Sequence, residues 1–208
     1  TTSPESEPVK LGISLLGIVG DSEDSSVVKT LALYDEFTLF CLVAVANMSD
    51  RPVDALWEIA KRVSGWGRIH AVERLSEYAS TDAKIRNWLL REGFKNRVMH
   101  EYLAHTCAAT GDLGGALESA DVDDELLASA GELLRAMISG GSTPGIHDYS
   151  DAPRALDRYL SHLAAAEKQL DQLLVLRAIH EHLLEDKTFE TTTTEALSLM
   201  LGKCETLL

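Results

Sequence analysis

Four apolar segments of this chain each end in a short polar turn closed by an aspartate, and these aspartates recur at nearly even intervals. They are Asp21, Asp50, Asp82 and Asp112, at spacings of 29, 32 and 30 residues. A period near 30 residues is typical of a stacked repeat, in which each unit covers the apolar face of its neighbour. It is not typical of a globule built around one central core.

The residues between these turns have helical periodicity. Apolar side chains recur at steps of three and four in the second half of each unit, and strand-type alternation is absent; one such set is Val53, Leu56, Trp57, Ala60 and Val63. We therefore predict an all-α fold in which each unit is a helical hairpin. Neighbouring hairpins are expected to share a continuous core, because one hairpin alone cannot bury enough apolar surface to fold.

The units resemble HEAT-like repeats of the armadillo type, most closely in the segment from Gly67 to Asp82, GRIHAVERLSEYASTD. The resemblance covers residues 9–139 and rests on hydrophobic positions more than on residue identities. It implies an α-solenoid, a right-handed stack of hairpins whose concave surface usually holds a partner. It carries over no catalytic residue.

The pattern changes after residue 139. Gly140, Gly141, Pro144 and Gly145 indicate a linker loop over 140–151. Residues 152–208 are predicted to form a C-terminal helical pair, with one long helix over 152–186 and a last helix capped by the threonines at 191–194. We expect this pair to cover the last repeat as a helical cap, with a dimerisation element as the alternative.

Composition limits the classes of partner and location. The net charge is −14, which disfavours general attraction to nucleic acid or to an anionic membrane, because phosphate binding requires positive potential. No apolar run approaches the roughly 20 residues that span a bilayer. The three cysteines, Cys41, Cys107 and Cys204, lack metal-type spacing and favour a reducing, cytoplasmic setting. The polar start without Met predicts a piece of a longer protein.

One segment departs from the acidic average. Residues 61–97 carry nine basic and four acidic side chains, and Trp66 lies between two glycines in a predicted turn. A large aromatic in such a turn is either a lid on the hairpin or an exposed anchor. Basic groups mixed with aromatics can bind an acidic peptide or stack on nucleic-acid bases. We therefore predict an acidic protein segment as the partner, with nucleic acid as the alternative. The expected contact residues are Arg62, Trp66, Arg68, His70, Arg91 and Arg97.

The sharpest chemical motif is the hexapeptide from His100 to His105, which has the form HExxxH. In the common zinc-protease helix the two histidines are four residues apart and point the same way. Five steps of about 100° turn the second imidazole roughly 140° away from the first. The hexapeptide alone resembles the motif of the dipeptidyl peptidase III family, which implies a zinc-dependent hydrolase using His100, Glu101 and His105 as an alternative function.

No other catalytic constellation is present in the sequence. His180 and His182 lie on different sides of a predicted helix, and His162 is five turns away from them. The chain has neither a G-x-S-x-G nucleophile elbow nor a phosphate-binding loop. We expect no cofactor, no metal and no catalytic residue. The sequence thus favours a non-catalytic interaction or scaffolding module.

Overall fold

The structure is a computed structural model that describes residues 5–49, 51–97, 100–120, 122–141, 143–165, 169–185 and 194–208. These residues contain helices and no β-strand, which confirms the all-α prediction. None of the helices in these ranges is long and apolar enough to cross a bilayer. The helices are α1 (Ser6–Val19), α2 (Ser25–Leu31), α3 (Asp35–Met48), α4 (Pro52–Arg62), α5 (Gly65–Ser76), α6 (Ala83–Trp88), α7 (Glu101–Thr110), α8 (Leu113–Glu118), α9 (Asp124–Ser139), α10 (Ala152–Ala165), α11 (Leu170–Glu185) and α12 (Thr194–Leu207).

The chain divides into two units. The first comprises residues 1–85 and 95–99, and the second comprises residues 86–94 and 100–208. The division falls inside residues 9–139, which the sequence suggests are one array. In the second unit, Ile146 and Tyr149 of the predicted linker loop over 140–151 are buried.

In the first unit, helices two apart in the chain contact each other. Helix α1 packs on α3 and α3 packs on α5, while α2 and α4 also contact α3. The approach of α1 to α3 is close at Gly17, where an added Cβ would lie 2.8 Å from the Cα of Ala44. Glycine is therefore required at this helix crossing.

The second unit has the same kind of neighbour relations. A π-helical turn at Leu89–Gly93 continues α6 and packs on α7 and α9. Helix α7 then contacts α9 and α9 contacts α11, while α8 contacts α10 and α10 contacts α12. The fully buried ring of Tyr159 on α10 lies against Gly131 of α9.

The turn aspartates bond the backbone, as their positions suggest. Oxygens of Asp21 and Asp82 accept the N–H groups of Glu23 and Lys84, each at 2.8 Å. Asp112 has a left-handed backbone, with φ of 57°, and its carboxylate accepts the Gly115 N–H at 3.1 Å. Asp50 lies outside the described residues.

The predicted single helix over 152–186 is wrong at Gln169. That residue belongs to neither α10 nor α11, and its N–H donates to Oε1 of Gln172 at 3.0 Å. The two helices are separate because α10 packs on α8, α9 and α12, whereas α11 packs on α9 and α12. Residues 166–168 and 186, and the predicted cap at 191–193, lie outside the described residues.

Candidate functional site

The start of α5 is held by side chains from two other segments of the first unit. Gly65 has φ of 65°, and its N–H donates to Oδ1 of Asn96 at 2.8 Å. Asn96 Nδ2 donates back to the Gly65 carbonyl at 3.0 Å, and the Gly67 N–H donates to Oδ1 of Asp35 at 2.5 Å. These contacts satisfy donors of the first helical turn that have no partner within the helix.

Trp66 lies on this fixed turn. The sequence predicts a turn over 65–68, but the structure extends α5 to Gly65, because Asn96 and Asp35 supply acceptors for the N–H groups of Gly65 and Gly67. The Trp66 side chain is 47% exposed, and its ring lies 6.3 Å from that of His70. His70 Nδ1 is 3.6 Å from Glu73 Oε2. An aromatic ring is thus presented to solvent on a backbone that has little freedom to move.

Two of the predicted arginines, Arg97 and Arg62, adjoin the start of α5 in the chain or through Asn96. The Arg97 N–H donates to Asn96 Oδ1 at 2.9 Å, so that Arg97 adjoins the residue that fixes Gly65. Arg62 ends α4, three residues before α5 begins, and both side chains are exposed. Among the described residues, the ion pair of Arg62 is a long one, 3.7 Å, with Glu58. Arg62, Trp66 and Arg97 are called the Trp66 site below.

Arg68 does not belong to this surface. Its side chain is buried, with 8% of the residue exposed, and Nη1 donates to the carbonyl oxygen of Ala60. The guanidinium therefore bridges α5 to α4 inside the first unit. Its expected role in partner contact is corrected to a packing role.

Arg91 lies in the second unit and binds two acids there. Its Nη1 and Nη2 contact the two carboxylate oxygens of Asp123 at 2.7 and 2.8 Å, and Nη1 also contacts Glu125 at 3.0 Å. The hydrogen bond from Arg91, assisted by the Leu126 N–H, lowers the pKa of Asp123 to about 2. Arg91 thus fixes the start of α9, and its expected role in partner contact is corrected accordingly.

The HExxxH residues do not converge. His100 precedes α7, and His105 Nε2 lies 3.2 Å from the carbonyl oxygen of Asp148, which can only accept a hydrogen bond. Nε2 of His105 therefore carries the proton and is not available to a metal. His100 and Glu101 line a cleft of about 130 Å³ with five other residues: Phe94, Glu132, Arg135, Ala136 and Ser139. Within the described ranges, no three His, Cys, Asp or Glu side chains are grouped so as to hold a metal ion.

His162 and His182 have packing contacts. His162 Nε2 lies 2.8 Å from the Leu117 carbonyl oxygen and so donates to it, which joins α10 to α8. The ring of His182 lies 5.1 Å from the ring of His147. His180, the third histidine of α10 and α11, has a buried Nε2 with no hydrogen-bond partner among the described residues.

Sequence reasoning missed the two residues that build the site, Asp35 and Asn96. Each lies about one repeat from the glycine that it contacts, at separations of 32 and 31 residues. The 30-residue period was the signal that could have paired them.

Comparison with known proteins gives no relative. No family model, no curated protein and no solved structure matches the chain. Function must therefore be argued from the residues themselves.

Proposed function

We propose that this chain is a non-catalytic protein-interaction module, built as a solenoid of HEAT-like helical pairs, that binds an acidic segment of a partner at the Trp66 site. Two observations support the repeat. Helices two apart contact each other within each unit. Side chains also meet across about one period, as Lys29 does with Glu58 and Arg91 with Asp123, at separations of 29 and 32 residues.

The exposure of Trp66 on a fixed helix start is the observation that carries the proposed interaction. Large aromatic side chains supply much of the binding energy at protein interfaces, and a side chain on an ordered backbone loses little entropy on binding. The hydrogen bonds of Gly65 and Gly67 provide that order. Trp66 is therefore suited to anchor a partner segment.

Charge favours an acidic segment. Arg62 and Arg97 are exposed; Arg62 lies four residues before Trp66 in the chain, and Arg97 follows the Asn96 that binds Gly65. The helix start itself is occupied by the Asp35 carboxylate, so a partner's carboxylates would meet guanidinium groups rather than backbone N–H groups. Such pairing is expected to weaken as salt screens the charges.

The test uses synthetic peptides that combine several Asp or Glu residues with one apolar anchor, titrated against the full chain by calorimetry. Trp66→Ala and Arg62→Glu are expected to weaken binding at least about tenfold, which corresponds to about 1.4 kcal/mol. Arg177→Glu, which changes an exposed arginine of the second unit, is the matched control and should bind like the parent.

The outcome that contradicts the proposal is equal peptide affinity in the parent and in Trp66→Ala. Duplex DNA is titrated in parallel. Binding of DNA without binding of peptides, with a steep loss of affinity as salt rises, would replace the acidic segment by nucleic acid as the partner.

A further inference from the structure

The first helix is apolar on both of its faces. Val9, Ile13 and Gly17 are its buried residues, and Gly17 lies against α3. The opposite face is also apolar but exposed, and its large side chains are Leu11, Leu15, Ile18 and Val19, exposed by 62, 51, 77 and 80%. These four residues are called the α1 outer face below.

The α1 outer face is continuous and uncharged. Leu11, Leu15 and Ile18 are spaced four and three residues apart, which places them on one side of a helix. Residues 11–19 include no charged side chain. The nearest basic group, Lys10, is held at the α3 side by ion pairs with Glu7 and Glu36, at 2.7 and 3.1 Å.

Exposed apolar surface of this kind marks an interaction site in soluble proteins. At these exposures the four residues offer roughly 450 Å² per copy, so two copies with their flanking residues would bury at most about 1,000 Å², below the roughly 1,200 Å² at which standard specific interfaces begin. The area suits a weak, concentration-dependent dimer.

We propose that the α1 outer face binds the same face of a second copy of this chain, with the two α1 helices antiparallel about a two-fold axis beside Leu15. A two-fold axis makes each surface its own partner, so the face must be complementary to itself. With the axis beside Leu15, a residue of one copy lies level, along the helix axis, with the residue of the other copy whose number brings the sum of the two to 30.

The sizes of the paired residues fit this arrangement. Ile18 of one copy lies beside Gly12 of the other, and Leu11 lies beside Val19. Gly12 is exposed, and an added Cβ there would meet nothing within 4 Å, so it leaves room for the larger side chain. A large residue thus faces a small one on each side of the central leucine, as close helix packing requires.

Charge excludes a lipid surface as the better occupant. Helices that lie on anionic bilayers border their apolar face with Lys and Arg. The border of the α1 outer face has instead the exposed Glu7, and the chain carries a net charge of −14.

Sedimentation equilibrium of the full chain over a wide concentration range tests the proposal. A reversible dimer is expected, weakened at least about a hundredfold in Leu15→Glu and in Gly12→Glu, because each buries a carboxylate in an apolar interface. Gly12→Glu should keep the fold, since its site is open and glutamate favours helix more than glycine does. Leu170→Glu changes a comparably exposed leucine of the second unit, 76% exposed, and should dimerise like the parent.

A cross-link tests the position of the axis. The native cysteines are buried, so a new thiol is the only reactive one expected. Leu15→Cys should form a disulfide between two copies under mild oxidation, whereas Leu170→Cys should not. A chain that is monomeric at all concentrations would overturn the proposal, as would a dimer that Leu15→Glu leaves intact or a failure of Leu15→Cys to cross-link.

Discussion

The most specific prediction about stability concerns Gly131 and Tyr159, because the cost of a side chain at Gly131 depends on one atom, the Tyr159 hydroxyl oxygen. A Cβ added at Gly131 would lie 3.0 Å from Cζ of Tyr159 and 3.3 Å from Cγ2 of Val175, and closer still to the Tyr159 hydroxyl oxygen. Tyr159 is fully buried, so its ring cannot move into solvent. Its hydroxyl has no hydrogen-bond partner among the described residues.

Three expected changes follow from this geometry. Overpacking by Gly131→Ala costs about 3 kcal/mol, the upper part of the usual range, and the helix gains about 1 kcal/mol, so the net loss is about 2 kcal/mol. Tyr159→Phe removes a buried hydroxyl without a partner and should be neutral or stabilising by up to about 1 kcal/mol. In the Tyr159→Phe background, Gly131→Ala should be nearly neutral. The contact of the new Cβ with the Tyr159 hydroxyl oxygen is then gone, and the remaining contacts, with ring carbon Cζ and with Val175, can be relieved by small shifts.

Urea unfolding followed by circular dichroism of the parent, the two single variants and the double variant measures this cycle. The expected coupling between the two substitutions is about 2 kcal/mol, with the denaturant slope unchanged. Additive effects within about 0.5 kcal/mol would refute the reasoning, since they would mean that the Tyr159 hydroxyl does not limit the space at Gly131.

Three further predictions concern Asp123, Cys41 and Asp35. The pKa of Asp123 is lowered to about 2 by the hydrogen bond from Arg91. Its ion pair therefore stabilises the fold above the unfolded pKa of about 4 and loses this effect as pH falls toward 2, so the difference in unfolding free energy between the parent and Asp123→Asn should shrink over that range. Burial raises the pKa of Cys41 to about 12, so alkylation of this thiol at pH near 8 should be far slower in the native chain than in urea. Asp35→Ala removes the acceptor of the Gly67 N–H and should lower the unfolding free energy by about 1–2 kcal/mol, measured by urea unfolding.

Each of these has a control. Arg91→Ala should remove most of the pH dependence that Asp123→Asn removes, the rest being due to the Leu126 N–H, and a parent–variant difference that stays constant between about pH 4 and 2 would contradict the assigned cause. Equal alkylation rates of Cys41 in the native and unfolded chain would contradict its burial. Asp54→Ala changes an exposed carboxylate whose one ion pair within the described residues is with Arg51, and it should cost less than Asp35→Ala. An equal cost would contradict the capping role of Asp35.

Helical content was predictable from sequence because it depends on local spacing. On α4, the predicted apolar positions at Leu56 and Ala60 are buried together with Ile59. The break at Gln169 was not predictable in the same way, since leucines continue at steps of three and four on both sides of it. The partners of α10 and α11 decide that break, and these partners are distant in sequence.

The candidate site was predictable only in part. Trp66 was identified from its glycine neighbours, and its exposure agrees with the anchoring role offered for it. The roles of Arg68 and Arg91 depend on contacts that a charge count cannot reveal: the carbonyl of Ala60 in one case and the carboxylate of Asp123 in the other. A basic side chain is available to a partner only if no acceptor within the protein already binds it.

The π-helical turn at Leu89–Gly93 has a consequence for how the chain tolerates insertion and deletion. A π turn holds one residue more than an α turn, so it accommodates a single extra residue without ending the helix. Deleting one residue here would restore ordinary helical pitch and leave the helix on both sides in register, so position 93 would keep its place near Cys107, whose sulfur would lie 3.3 Å from a Cβ added at Gly93. A variant that lacks one residue of this turn, with glycine kept at the position next to Cys107, should therefore fold with the same packing.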